Sequence, residues 1–160
     1  MGIGVESGMV GFGDGPYETL FRRRGDLSNR AKRKTDLSGI NDWQASGFSF
    51  LGVTTGADGQ YPIERAIDSE GRVRGLRVEF VSDVAEVDGQ WREVGRLVIT
   101  AGRCVVADPH SMHANEGFYF HDVGAPNGNH SIEVFFWDWE HLGARILFAT
   151  PLDLPQWGVD

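Results

Sequence analysis

Several features are scarce in this sequence, and each scarcity excludes a class of protein. The single cysteine, Cys104, rules out an internal disulfide and fits a reducing compartment. No stretch approaches the roughly 18 uninterrupted apolar residues of a membrane-spanning helix, so we expect no membrane partner. The opening MGIGVESGMVGFGDG has no basic start and carries Glu6 and Asp14, which argues against a secretory leader. Together these absences predict a cytoplasmic protein.

Lysine is also scarce, whereas acidic residues are abundant. The net charge is −8, but residues 1–34 sum to +3 and residues 35–160 sum to −11. Such an acidic body repels phosphates, which makes a nucleic-acid partner unlikely and favours a basic protein partner. The basic residues concentrate in 22–42, RRRGDLSNRAKRKTDLSGIND, which has few large apolar side chains. We expect this segment to be an exposed basic loop of a single domain spanning 1–160.

Short apolar runs separated by glycine-containing turns predict an antiparallel β fold. Three Asp-Gly pairs favour two-residue hairpin turns, at 14–15, 58–59 and 88–89. Leu76, Val78 and Phe80 alternate with Gly75, Arg77 and Glu79, which is the period of a half-buried strand. The expected fold is all-β or mainly β, an antiparallel sandwich or barrel-like domain with short helical turns.

Further strands follow from the same patterns. Val94–Thr100 and Arg103–Ala107 are predicted strands joined at Ala101–Gly102. Ile132–Trp139 is predicted to be a central strand, and Arg145–Ala149 its neighbour across a turn at His141–Ala144.

A ten-residue pattern recurs along the chain. Val5–Asp14 aligns with Ile99–Asp108, since both have a small residue and glycine, then alternating apolar positions, then a small residue and aspartate. Gly13–Tyr17 also echoes Ala57–Tyr61. Either a duplication or repeated use of the same turn chemistry explains the pattern.

Histidines cluster after one predicted strand. His110 and His113 follow Asp108, and His121 is within reach if the chain doubles back, so three such groups are a possible zinc set. No His-Glu-x-x-His or Cys-x-x-Cys signature is present, and Cys104 lies inside an alternating strand as a buried, inert thiol would. We therefore assign no catalytic residue, metal ligand or cofactor.

Aromatic and acidic residues supply the candidate binding surface. Phe135, Phe136, Trp137 and Trp139 are expected in the core, whereas Trp43, Trp91 and Trp157 are flanked by polar residues. Exposed Trp and Arg are frequent anchors of protein interfaces. The residues predicted to bind a basic partner are Asp83, Glu86, Asp88, Trp91, Glu93, Asp138 and Glu140.

Several segments resemble a family of bacterial domains of unknown function that carry Gly-Asp-Gly-x-Tyr and Gly-x(5)-Asp-Pro elements. The matching pieces are Gly13–Tyr17, Asp58–Tyr61 with Pro62, Gly71–Phe80 and Gly95–Pro109. The resemblance implies a β-rich fold without established activity and, as for some members, a suspected immunity role beside polymorphic toxins. It carries over no catalytic residue.

The first expectation is a protein-binding domain that is not an enzyme, an immunity-type inhibitor of a cognate, basic toxin. A metal-dependent hydrolase using His110, His113 and Asp108 is one alternative. A structural module of a phage or secretion assembly is another.

Overall fold

The computed structural model describes residues 2–28, 39–82, 84–112, 120–148 and 156–159, which form twelve strands and two short helices. The strands are β1 (Gly2–Val5), β2 (Met9–Asp14), β3 (Ile40–Asp42), β4 (Phe50–Thr54), β5 (Gly59–Ile67), β6 (Val73–Glu79), β7 (Gln90–Ile99), β8 (Arg103–Ala107), β9 (Phe120–Gly124), β10 (Gly128–Trp137), β11 (Glu140–Leu147) and β12 (Gln156–Val159). The helices are α1 (Tyr17–Arg22) and α2 (Arg24–Ser28), and short 3-10 turns cover Gln44–Ser46 and Val84–Glu86.

The strands pair into two antiparallel sheets. One sheet has the order β1-β5-β6-β11-β10-β7, with β12 also paired to β5, and the other has the order β3-β4-β2-β8-β9. The two sheets pack face to face, as an antiparallel sandwich does. The predicted mainly β fold is confirmed, whereas the barrel-like variant is wrong, because the described strands leave both sheets open at their edges. Neither described helix is long and apolar enough to cross a bilayer.

The main core lies between the sheets, where period-2 alternation directs apolar side chains inward. Leu76 and Val78 are fully buried there and Phe80 is 8% exposed, which confirms the predicted half-buried strand. Their partners come from both sheets and include Ile3, Val5, Val10, Phe12, Leu51, Val53, Ile63, Leu97, Ile99, Val106, Ile132, Val134 and Ile146.

A second apolar cluster covers the outer face of the five-stranded sheet. It includes Leu27 of α2 and Trp43, both fully buried, together with Leu20 and Phe50. The segment 22–42, predicted to be an exposed loop, contains regular structure at both ends, although residues 22–25 are exposed as predicted. Residues 24–28 form α2 and Ile40–Asp42 forms an edge strand, because Leu27 and Ile40 find buried positions that compensate for the polar composition around them. Residues 29–38 of the predicted loop lie outside the described residues.

The predicted Asp-Gly hairpins are also wrong. Asp14 ends β2 ahead of α1, and the pairs at 58–59 and 88–89 lead into strands of the seven-stranded sheet. The β5–β6 hairpin turns at residues 68–72, which include the Glu70–Gly71 pair expected from its place between the apolar runs Ile63–Ile67 and Val73–Phe80. Gly71 has a φ of +79° there.

The second hairpin turns earlier than expected. β10 pairs with β11 through Phe136–His141 and Trp137–Glu140, so the turn is at Asp138–Trp139 and not at 141–144. Asp138 has a φ of 54°, a left-handed conformation that aspartate tolerates better than most residues.

The two halves of the chain have the same topology. In the seven-stranded sheet the order β1-β5-β6 corresponds to β7-β10-β11, and in the five-stranded sheet β2-β4 corresponds to β8-β9. The pairing of β3 with β4 has no equivalent among the described strands of the second half. The halves meet where β2 pairs with β8 and where β6 pairs with β11. This approximate two-fold symmetry matches Val5–Asp14 to Ile99–Asp108 as the sequence alignment does, but it does not match Gly13–Tyr17 to Ala57–Tyr61.

Each of the two aspartates that end the repeated pattern accepts hydrogen bonds from a turn in the other half of the chain. Asp108 accepts hydrogen bonds from the backbone N–H groups of Glu6 (2.7 Å) and Ser7 (2.9 Å). Asp14 accepts hydrogen bonds from the N–H groups of Thr100 (3.0 Å) and Ala101 (3.3 Å). Asp108 thus fixes the β1–β2 turn and Asp14 the β7–β8 turn, and each of these turns leads the chain from the seven-stranded sheet to the five-stranded sheet.

The equivalent of β7 in the first half is built from two separated segments. β12 pairs with one part of β5 and β1 with the other, whereas β7 alone runs along the whole of β10. The match extends to side chains: Trp157 lies opposite Ala66 of β5 as Trp91 lies opposite Phe135 of β10.

We expect Asp108→Ala to lower the free energy of unfolding by about 2–4 kcal/mol, because it removes a buried, charged acceptor of hydrogen bonds from the N–H groups of Glu6 and Ser7. Asp14→Ala, at the more exposed equivalent site, should cost about 1–2 kcal/mol. Urea unfolding monitored by circular dichroism gives both values. Asp58→Ala, at an exposed aspartate, is the control and should stay within about 0.5 kcal/mol of the parent. Equal, small losses for all three variants would contradict the capping role.

Candidate functional site

The tip of the β10–β11 hairpin exposes two tryptophans and two acids. We call Trp137–Glu140 the Trp hairpin. Trp139 is 85% exposed and Trp137 is 46% exposed, and Asp138 and Glu140 are also exposed. The expectation that both tryptophans are in the core is wrong, because the hairpin extends past the last residues that pack between the sheets, whereas Trp43 is fully buried. Large apolar side chains left in solvent in this way are typical of interaction sites.

A cavity of about 360 Å³ lies beside the Trp hairpin. It opens between the start of β11 and the turn that follows β4. Its walls are formed by Thr54, Thr55, Gly56, Val81, Trp139, Glu140, His141 and Leu142. The cavity therefore combines apolar walls, hydroxyl groups and one carboxylate.

His141 holds the hairpin against the five-stranded sheet. Its Nδ1 lies 3.1 Å from the carbonyl oxygen of Thr54, and its ring packs edge-on against Phe136, with 5.0 Å between ring centroids. Because Thr54 belongs to β4 and His141 to β11, the contact between these two residues joins the two sheets at the cavity. The Trp hairpin is thus anchored at its base while its tip stays exposed.

The turn at Val84–Glu86 packs beside the same hairpin. Val84 forms a small buried cluster with Phe135 of β10 and Leu142 of β11, and Val87 and Trp91 pack against it. This cluster places two further exposed acids, Glu86 and Asp88, at the end of the sandwich that carries the Trp hairpin. We call Glu86, Asp88, Asp138 and Glu140 the acidic end. None of the four forms an ion pair with another described residue.

The other predicted binding residues have different surroundings. Trp91 is partly buried: its ring packs against Phe135 and beneath the Arg145 guanidinium, whose central carbon is 4.1 Å from the ring centroid. Glu93 pairs with Arg96 at 2.7 Å on the outer face of the seven-stranded sheet. Asp83 lies outside the described residues. Of the seven predicted residues, Asp138 and Glu140 thus belong to the Trp hairpin, and Glu86 and Asp88 belong to the segment that packs on its base. Trp91 packs against the same small cluster.

Of the alternative zinc set, the two histidines that the structure describes, His110 and His121, do not converge. The Asp108 carboxylate is fully buried and serves as the turn cap. His110 lies near Trp43 on the outer side of the five-stranded sheet, whereas the Nε2 of His121 contacts the carbonyl oxygen of Gly2 in the other sheet. His113 lies outside the described residues, and the part of the chain that is described contains no group of three residues suited to hold a metal ion.

Cys104 is buried in β8, which confirms the predicted strand position. Burial raises the pKa of its thiol, and the nearby carboxylates of Asp122 and Asp14 raise it further. The thiolate needed for nucleophilic chemistry is therefore disfavoured.

Sequence reasoning missed the residues that shape the cavity. Val81, His141 and Thr54 are far apart in the chain and belong to no motif. The one local signal was the alternation of tryptophan with acid in Trp137–Glu140, which suits neither a fully buried strand nor a solvent-facing one.

If Trp139 serves binding and not folding, its removal should leave stability almost unchanged. We expect Trp139→Ala to alter the free energy of unfolding by less than about 0.5 kcal/mol. Trp43→Ala, which empties a fully buried position, should cost about 3–5 kcal/mol in the same urea titration. A loss above about 1.5 kcal/mol for Trp139→Ala would show that the ring is part of the fold.

Comparison with known proteins leaves the site to be interpreted from its own chemistry. No protein-family model matches the chain. No curated protein and no solved structure matches it either.

Proposed function

We propose that this protein is a protein-binding domain that acts as an immunity-type inhibitor of a basic toxin. In this proposal the contact surface is the Trp hairpin together with the acidic end. The observation that carries the proposal is the Trp139 ring, 85% exposed between two exposed carboxylates at the mouth of a cavity.

The aromatic residues supply the anchor. Interface energy concentrates in a few large side chains, with tryptophan prominent among them, that fill complementary pockets. Trp137 and Trp139 project from a hairpin whose base is fixed by His141, so little conformational freedom is lost when a partner binds. A rigid, exposed aromatic tip supports a binding role.

The charge supplies attraction to a basic partner. Residues 35–160 sum to −11, and the acidic end contributes four of their exposed carboxylates. Toxins that attack nucleic acids need a positive surface because their substrate is a polyanion. An acidic inhibitor is steered to such a toxin by long-range attraction, which acts mainly on the association rate.

The first test is co-expression with a candidate basic toxin, chosen from the genes that neighbour the gene of this protein. The protein should restore growth of cells that make the toxin. Rescue should persist in His110→Ala and be lost or weakened in a Trp139→Ala, Glu140→Gln double variant. Failure of rescue, or a requirement for His110, would refute the inhibitor proposal.

The association rate provides a second, quantitative prediction. It should fall as salt rises from low to physiological concentration, because screening shortens the reach of the field to about 8 Å. At low salt, Asp138→Asn combined with Glu140→Gln should slow association severalfold. Stopped-flow or surface-binding kinetics with the purified toxin measures both effects.

Two matched controls localise the effect. Glu70→Gln removes an exposed acid from the hairpin at the opposite end of the seven-stranded sheet, and neutralising Arg22–Arg24 removes basic charge from the helices. Neither change should slow association. An equal slowing by Glu70→Gln would place the contact elsewhere on the surface.

A further inference from the structure

The two long hairpins of the seven-stranded sheet are equivalent in the symmetry of the fold. In each, a register shift precedes the tip, at Ala66/Ile67 in β5 and at Phe135/Phe136 in β10. The last common pairs are Ile67–Val73 and Phe136–His141. The backbone leading into the two tips therefore follows the same pairing pattern. The tips differ in length, since residues 68–72 form the first and residues 137–140 the second, and in their side chains.

The first hairpin neutralises its own acids. Asp68 accepts hydrogen bonds from Nε of Arg72 (2.9 Å) and Nε of Arg74 (2.8 Å), and Arg72 also contacts Glu70 at 3.2 Å. The backbone N–H of Arg72 is the largest of the causes that hold the pKa of Asp68 well below its usual range. The acids of this tip are therefore already paired with arginines of the same hairpin.

The Trp hairpin has acids at its tip but no arginine. Glu140 stands where the first hairpin has Arg72, and Leu142 stands where it has Arg74. The ring of Trp139 is 85% exposed, so no described side chain covers its faces. Compared with the first hairpin, this tip lacks the guanidinium groups.

At two places on the seven-stranded sheet, one in each half, an arginine contacts both a tryptophan ring and a glutamate. The Arg77 guanidinium lies 4.6 Å from the Trp157 ring centroid and pairs with Glu64 at 2.7 Å. On the symmetry-related strands, the central carbon of the Arg145 guanidinium lies 4.1 Å from the Trp91 ring centroid. Arg145 pairs with Glu133 at 2.6 Å. Both clusters hold one guanidinium between an aromatic face and a carboxylate, a geometry that suits arginine better than lysine.

We infer, building on the proposed function, that the cavity beside the Trp hairpin receives an arginine side chain of the basic partner, with its guanidinium against Trp139 and Glu140. Val81 and Leu142 line the cavity and offer apolar surface for the aliphatic part of that side chain. Trp139 and Glu140 supply two members of the three-residue combination that the fold completes elsewhere with its own arginines. The partner supplies the third.

The test uses N-acetyl-L-argininamide as the probe and the methyl signals of Val81 and Leu142 as the readout in heteronuclear NMR. We expect saturable shifts of both methyl groups. The neutral isostere N-acetyl-citrullinamide should produce shifts no larger than those of buffer, because it lacks the charge. N-acetyl-L-lysinamide should bind severalfold more weakly than the arginine probe, because it lacks the planar fork.

Variants then assign the contact. Glu140→Gln should weaken binding of the arginine probe by about fivefold, as expected for loss of one partly exposed ion pair. Trp139→Ala should abolish saturation, whereas Glu70→Gln on the equivalent hairpin should change nothing. Equal shifts with arginine and citrulline probes, stronger binding of N-acetyl-L-leucinamide, or an unchanged affinity in Glu140→Gln would overturn the inference.

This experiment separates the pocket from the proposed function. Arginine binding without growth rescue would refute the toxin-inhibitor proposal and leave the pocket assignment standing. Growth rescue without arginine-specific shifts would refute the pocket assignment and leave the inhibitor proposal standing.

Discussion

Asp108 is fully buried in a protein with many exposed acids, and the arrangement of both sheets depends on what its carboxylate accepts. It accepts hydrogen bonds from the N–H groups of the turn between β1 and β2, while Asp14 accepts hydrogen bonds from those of the turn between β7 and β8. A buried carboxylate is tolerated only where such donors compensate for its lost hydration. The reciprocal caps therefore hold the two halves in one register and fix how each strand leaves one sheet for the other.

Because the halves are equivalent, their differences are informative. Both contain a tryptophan over an arginine that pairs with glutamate, on the outer face of the seven-stranded sheet. Their hairpin tips differ. In the first, Arg72 and Arg74 form ion pairs with Asp68, whereas the second exposes Trp139 and Glu140. The first hairpin therefore serves as the comparison for the second, and the comparison identifies the Trp hairpin as the tip whose acids have no arginine partner among the described residues.

The sequence allowed the scaffold to be predicted better than the site. Strand periodicity located Arg103–Ala107 with the bounds that β8 has, and the alignment of Val5–Asp14 with Ile99–Asp108 found the equivalent segments. A further match, Gly-x-Arg-x-x-Phe at 75–80 and 143–148, was also present and would have strengthened the repeat. Period-2 patterns thus located strands, whereas the Asp-Gly turn signals did not locate the hairpins.

The site required information that no local pattern contains. Trp43 has polar neighbours but is covered by the helices packed on the five-stranded sheet, whereas Trp139 follows a strongly apolar run but lies beyond the edge of the sandwich. Thr54 and His141 meet only because two sheets pack together. Tertiary burial overrides local polarity in each case.

The divided strand formed by β12 and β1 bears on the order in which the chain folds. β5 is synthesised about ninety residues before β12, so part of its edge has no strand beside it until residues 156–159 are available. The second half has no such delay, since β7 precedes β10 and spans its full length. During synthesis the second half is therefore able to complete its sheet locally, whereas the first half depends on a late, long-range closure that protects an aggregation-prone edge.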